Sequence, residues 1–478
     1  MRRFRLGWPA FAAIAALVVP LLAFQLSSNA GPVDTPASAP NIVLILTDDQ
    51  RADTLWAMPN VQEELVDRGV SFSNAFAVNP WCCPSRANIL TGQYSHTNGM
   101  WRNSAPYGGF ASFKDGSTLA TWLQSAGYRT GLIGKYFNGY ENSTYLPPGW
   151  DRWVAFNAGT YQYFNYKLNI DGVVTPYGTG AANYSTDVLR DHATSFIRNT
   201  SSREPFFLYF NPNAPHGTTG GTGGLDGLPK AAPRHASSFS DLPLWRPPSF
   251  NEADVSDKPA HIQALPTISP DNFRRQQYKS LLAVDDAVKA IVDTLRETRR
   301  LDNTMIIFAS DNGMLWGEHR WGKKVVPYEE SIRIPLLFRY DPVTSGLPAR
   351  SDTHLVNTTD LAPTIAEAAG VGAPGAEGAS LMPILSRADP PWRSDFLIEH
   401  LQGPAAVDPI KTYCAVRNES HIYVVYKSGE RELYDLSEDP YQLTNRAADP
   451  AYAATVGDLH ARLKTLCTPP PPGFVLPN

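Results

Sequence analysis

The sequence predicts an α/β fold, a central sheet flanked by helices, followed by a smaller C-terminal antiparallel sheet with a helix. Two observations carry this. Three short apolar runs each end abruptly in polar residues, and after about residue 385 the pattern changes to short segments separated by turn residues. At 478 residues and 43% hydrophobic content the chain buries a large core.

Ile42 to Leu46 is continuously apolar, as in a strand covered on both faces, and delivers Thr47-Asp48-Asp49 at its C-terminal end. Met305 to Ser310 repeats the design with Asp311-Asn312-Gly313, and Phe206 to Phe210 repeats it with Asn211 to His216. Ligands of open α/β sheets gather beyond the C-terminal strand ends, so the three runs point to one shared site. For any one run alone, Asp or Asn after a strand commonly forms only a turn. Arg275 to Thr298 places Tyr278, Leu281, Val284, Val288, Ile291 and Leu295 at helical spacing, and Thr359 to Ala369 reads as a second helix. Pro212 to Pro270, rich in Gly, Pro and Ser, reads as long surface loops. Tyr413 to Arg417, His421 to Lys427 and Glu432 to Leu436 read as an antiparallel meander, and Tyr452 to Leu466 as a closing helix. The chain thus divides into residues 40–385, a catalytic domain on the reading below, and a C-terminal sheet subdomain, residues 386–478.

Arg2, Arg3 and Arg5, the apolar stretch Leu6 to Phe24 and the small residues Ser28-Asn29-Ala30 have the layout of a secretory signal over residues 1–30. The stretch is also long enough for an uncleaved membrane anchor. Either places the protein in a secreted or extracytoplasmic setting, with residues 31–39 as a linker. Four cysteines do not make a disulfide scaffold; Cys414 and Cys467 are left as a possible pair in an oxidising compartment. A net charge of -5 argues against nucleic acid as a partner, which needs clustered Lys and Arg. Any anionic ligand must be met locally.

Asp48-Asp49 and Asp311-Asn312 form an all-oxygen set suited to a hard divalent cation, for which a thiolate is a poor ligand. Yet Cys82-Cys83-Pro84-Ser85-Arg86, followed by Leu90-Thr91-Gly92, resembles the signature C-x-P-S-R-x-x-x-L-T-G of the sulfatases. With Leu46-Thr47-Asp48-Asp49-Gln50 and Gly134-Lys135-Tyr136-Phe137-Asn138, it makes the chain similar to the sulfatase branch of the alkaline-phosphatase-like superfamily, nearest in motifs to the N-acetylglucosamine-6-sulfatases. The resemblance runs from about Pro40 to the C-terminal meander and implies an α/β sandwich whose large central sheet is mixed.

The same resemblance implies the chemistry. Cys82 is oxidised to formylglycine by a formylglycine-generating enzyme; Asp48, Asp49, Asp311, Asn312 and the modified Cys82 hold a calcium ion; and Arg86, Lys135, His216 and Lys324 line the sulfate site. Lys324 is preferred to Lys323 because it stands four residues before Tyr328-Glu329. Many sulfatases have a histidine where this chain has Asn138, which orients substrate by hydrogen bonds and transfers no proton. His96 and His319 are read as structural. Three aspartates and a divalent cation leave about -1, and Arg86, Lys135 and Lys324 add +3, so the site is cationic by about two units and attracts an anion. One hydroxyl of the hydrated aldehyde attacks sulfur, Arg86 and the lysines hold the spreading charge, and His216 or Lys324 assists the leaving alcohol.

The expected substrate is a sulfated sugar, foremost a glucosamine 6-sulfate, or an aryl sulfate, with Tyr161 to Tyr166 offering rings for stacking. The alternatives are a formylglycine-dependent phosphonate or phosphate ester hydrolase, a generic arylsulfatase, and an inactive sugar-binding relative. A membrane enters only through an uncleaved N-terminal anchor.

Overall fold

Neighbouring residues of the first apolar run face opposite cores: Ile42, Leu44 and Leu46 pack into one, Val43 and Ile45 into the other. That two-sided burial is what a continuous apolar strand encodes. A computed structural model describes residues 39–158, 162–218, 227–344, 348–404 and 408–477. The expected signal, most of the linker and Tyr161 lie outside the described residues.

The main sheet has ten strands: β1 (Asn41–Thr47), β2 (Val70–Phe72), β3 (Arg129–Gly134), β4 (Arg152–Ala158), β5 (Tyr166–Ile170), β6 (Val173–Tyr177), β7 (Phe206–Asn211), β8 (Thr304–Ser310), β9 (Leu336–Tyr340) and β10 (Arg350–Asp352). Their order is β10-β2-β9-β8-β1-β7-β3-β4-β5-β6. The inner block β8-β1-β7-β3-β4 is parallel, and antiparallel pairing appears beside it at β9 and at β5-β6. The sheet is therefore mixed, as the resemblance implies.

Helices cover both faces. On one side lie α1 (Cys82–Thr91), α2 (Leu119–Ser125) and, later in the chain, Leu361–Ala368; on the other lie Ser185–Asn199 and the 27-residue Asp271–Glu297. Leu281, Val284, Val288, Ile291 and Leu295 of the long helix are all buried, so its sequence spacing translates directly into packing. After the main sheet, four antiparallel strands, β11 (Asp395–His400), β12 (Tyr413–Asn418), β13 (His421–Tyr426) and β14 (Arg431–Asp435), form a second sheet. One of its faces packs on Phe76, Leu315, Val326 and Tyr328, and the other is covered by helix Ala453–Leu466. Cys414 and Cys467 are joined by a disulfide that ties this helix to β12.

Candidate active site

Parallel register brings four strand ends to one level. Thr47 is opposite Ser310, Ile45 opposite Phe210 and Gly134 opposite Asn211. Asp48-Asp49, Asp311-Asn312, Asn211 and Lys135 therefore emerge side by side. Gly134 permits the closest of these approaches, with φ at +131° and a Cβ that would stand 1.8 Å from the Asn211 carbonyl oxygen. Asp49 takes a left-handed backbone (φ 65°), which Asp adopts more readily than most side chains, and its N–H donates to Asp311 Oδ1 at 3.2 Å.

Helix α1 begins at this level and is buried along its whole length, polar residues included. Cys82 is its first residue, and the Cys83 N–H is capped by Asn103 Oδ1 at 2.8 Å. One turn further, Arg86 reaches back across the floor. Its Nε donates to Asp311 Oδ2 at 3.0 Å, a second nitrogen lies 2.9 Å from the same oxygen, and Nη1 donates to Asn211 Oδ1 at 3.3 Å.

Each of three carboxylates thus has its own cation at close range, Arg86 on Asp311, Lys135 on Asp48 and Lys324 on Asp49, and Arg86 also lies 3.7 Å from Asp48. Burial would raise the Asp48 carboxyl, but Lys135, with Arg86 and Lys324, holds it below the usual range. Burial and the neighbouring Asp48 push Asp311 up to about 6, against Arg86 and Lys135. Burial also opposes charge on Arg86, Lys135 and Lys324, yet their carboxylate partners outweigh it and keep all three cationic. Cys82 lies among them, with Lys324 Nζ 2.8 Å from its Sγ and Asp48 Oδ1 3.6 Å away. Burial pushes its thiol up to about 12, so an unmodified Cys82 is neutral and a weak nucleophile at neutral pH.

His216 closes the loop after β7. Its Nδ1 contacts the Gly217 carbonyl oxygen at 2.6 Å, a contact that needs a proton on Nδ1, and Nε2 faces Asp49 Oδ2 at 3.5 Å. Burial lowers the ring below its ordinary value in spite of Asp49 and Asp48, so His216 is neutral and presents Nε2 as a proton acceptor.

The donor set fits a hard cation. One ligand atom from each of Asp48, Asp49, Cys82 and His216 lies within 4.8 Å of the others. Asp311 is not in that tightest group; its carboxylate pairs with Arg86. Asn312 Nδ2 donates to Asp49 Oδ1 at 2.7 Å, while its Oδ1 is buried without a hydrogen-bond partner, an oxygen left over for a ligand.

Several supports carry no motif in sequence. Lys324 rides on a loop held at two successive carbonyls: Trp321 Nε1 donates to Lys324 O at 3.0 Å and Tyr413 Oη to Val325 O at 2.6 Å. Val325, β-branched, is left-handed at φ 82°, a conformation that needs such holding. Gln277 Nε2 bridges the carbonyls of Asp49 (3.4 Å) and Pro215 (3.3 Å). Asn138 is half-buried; its N–H donates to Cys83 Sγ at 3.3 Å, next to Cys82 in the chain, and its Oδ1 is unpartnered. His96 lies between Glu377 and Glu399, and His319 bonds Glu252 at 2.6 Å and stacks on Tyr328, so neither enters the site. For Tyr163 and Tyr166 the expectation of a stacking platform is corrected: both are core residues, and Tyr163 Oη donates to the His216 carbonyl.

Comparison with known proteins follows the same lines. The family model described as Sulfatase matches residues 40–371, and that of the N-sulphoglucosamine sulphohydrolase C-terminal region matches residues 317–468. The chain is 34% identical to an arylsulfatase of Volvox carteri (89% of this chain, 74% of the relative) and 31% identical to the human N-acetylglucosamine-6-sulfatase (89% and 84%). Its fold is similar to that of a solved protein in complex with its substrate D-glucosamine-2-N,6-O-disulfate (TM-score 0.76, 24% identity, 90% and 98% covered). It is also similar to that of the phosphonate monoester hydrolase of Agrobacterium radiobacter (TM-score 0.72, 23% identity, 90% and 96%).

Proposed function

The chain belongs to the sulfatase family and is a sulfuric ester hydrolase, and from that premise we propose that its substrate is a sulfated sugar, foremost one bearing a 6-sulfate on a glucosamine-type unit. The observation that carries the catalytic reading is the pairing of three cations with three carboxylates around Cys82. Asp48, Asp49, Asp311 and Asn312 are the residues to hold a calcium ion, whose two charges would turn this balanced floor into a dicationic pocket for a sulfate ester. Converted to formylglycine, residue 82 would supply a hydrated aldehyde, with one hydroxyl for sulfur and another for the later release of sulfate.

The chain's own residues do the rest. Arg86, Lys135 and Lys324 stay cationic and meet the charge that spreads over the sulfate oxygens. His216, with Nδ1–H committed to Gly217, has Nε2 to exchange a proton and, once protonated there, would give it to the leaving alcohol. Asn138, with its unpartnered amide oxygen, orients the sugar.

The 6-sulfate assignment draws on the glucosamine-6-sulfatase relatives and on Asn138; the Volvox carteri relative supports a second reading, an aryl ester. Extracytoplasmic residence, supported by the disulfide, and maturation by a formylglycine-generating enzyme complete the proposal. The test is kcat/KM for glucosamine 6-sulfate, other sulfated monosaccharides, an aryl sulfate and matched phosphate and phosphonate esters. The highest value is expected for the 6-sulfate; a clear preference for the aryl ester or another ring position would reject the sugar assignment, and a preference for phosphonate would reject the choice of sulfate.

A further inference from the structure

We propose that a cavity beside the active site binds a second anionic group, a sulfate or carboxylate carried on a neighbouring unit of the same sugar chain; this rests on the sulfatase reading. Arg102, Lys411 and Lys427 line a single cavity of about 430 Å³ together with Gln402, Gly403 and Ser428. None of the three cations has an ion-pair partner among the described residues, whereas Arg234, Arg246 and Arg462, also at the surface, are each held by a carboxylate. In a chain of net charge -5, three unneutralised cations around one cavity repel one another, and an entering anion relieves that repulsion.

Arg102 is seated on an aromatic ring, and backbone pairing brings the two lysines to adjacent positions. The Arg102 guanidinium lies over the Tyr107 ring at 5.3 Å, and its Nε is buried without a hydrogen-bond partner. Lys411 and Lys427 are neighbours because the Lys427 N–H donates to the carbonyl of Thr412 at 2.8 Å.

Both walls touch the residues that flank the nucleophile. Asn103, next to Arg102, caps the Cys83 N–H, and a Cβ at Gly403 would stand 3.3 Å from the Trp81 ring. The ester under attack already has Arg86, Lys135 and Lys324, so the cavity serves a different anion. A substrate with a single charge cannot fill both sites, which selects a polyanionic chain.

The experiment compares three probes: an aryl sulfate, an oligosaccharide with one 6-sulfate, and its counterparts with an added sulfate or carboxylate on the adjoining unit. The native enzyme should favour a counterpart by about 10-fold or more in kcat/KM. Lys411→Gln with Lys427→Gln, and separately Arg102→Gln, should remove most of that preference through KM, leave aryl ester turnover unchanged, and make salt less inhibitory. The two counterparts tell sulfate from carboxylate. Equal kcat/KM on all oligosaccharides in the native enzyme, a preference that survives the substitutions, or an equal loss on the aryl ester would overturn the proposal. Absence of turnover on any sulfate ester would overturn the functional reading itself.

Discussion

Two buried carboxylate centres sit within one molecule and solve burial in opposite ways. On the active-site floor, Asp48 keeps its charge because the cations Lys135, Arg86 and Lys324 surround it. In the C-terminal sheet, Glu432 is also fully buried but is met by neutral hydroxyls, from Tyr328 at 2.9 Å and from Tyr426 and Tyr434 at 2.6 Å each, and burial raises its carboxyl above the ordinary range despite them. The floor pairs full charges that a metal ion and substrate can exchange; the tyrosine hub gains rigidity from bonds with nothing to exchange. The two are linked. Tyr328 of the hub stacks on His319 at 4.2 Å, and the loop between them carries Lys324 to Cys82.

The largest expected effect is at the nucleophile. Cys82→Ala should lower kcat by at least about 10³-fold with thermal stability retained, while Cys83→Ala should keep most activity; mass spectrometry of the peptide should find formylglycine at 82 and thiol at 83. Fully active enzyme with an unmodified Cys82 thiol would remove the floor's assigned role. Next, Arg86→Met leaves Asp311 and Asp48 buried without their guanidinium and should cost about 3–5 kcal/mol in denaturant unfolding. Adding Asp311→Asn should recover much of that stability and none of the activity, which separates charge balance from catalysis.

A smaller effect tests the link between the centres. Tyr413→Phe deletes only the hydroxyl that holds Val325 O, and should cost about 1 kcal/mol and lower kcat up to about 5-fold with KM little changed. In a Lys324→Ala background the same change should lower kcat no further, whereas the stability loss should persist; an undiminished kcat effect there would break the link.

The smallest effect sharpens the contrast through pH. Because the folded-state value of Glu432 is raised, its contribution to stability is fully present below the unfolded value of about 4.3 and is lost as pH rises through the folded one. Glu432→Gln should therefore match the native protein in acid and exceed it in stability at neutral and alkaline pH, with kcat unchanged. A pH-independent difference would show that the carboxyl does not titrate as its burial requires.

Much of this was legible locally. Ile42 to Leu46 and Met305 to Ser310 announced central strands because two-sided burial demands an unbroken apolar run, and the polar residues after them marked the site because strand ends are where a parallel sheet opens. The long helix began at Asp271, four residues before the start read from its spacing, since its first turn, Asp271 to Arg274, has a single apolar residue, Phe273, and one residue leaves no periodic trace. The motif around Cys82 marked it as the candidate nucleophile, and the structure brings Asp48, Asp49, Lys135, His216, Asp311, Asn312 and Lys324 to one floor around it.

Other features depended on contacts between residues far apart in the chain. Tyr163 and Tyr166 looked like a sugar platform in sequence, yet the packing of β5 and the neighbouring helix put them in the core. The union of Cys414 with Cys467 follows from how the closing helix packs on the second sheet, and the hold of Tyr413 on a carbonyl 88 residues away and the meeting of Arg102 with Lys411 and Lys427 follow from how that sheet seats against the first part of the chain. The sequence by itself determined which chemistry was present and at which strand ends, because those are properties of neighbouring residues. Which cation balances which carboxylate, and what holds it there, only the tertiary structure decided, because those distances depend on register and packing across the whole chain.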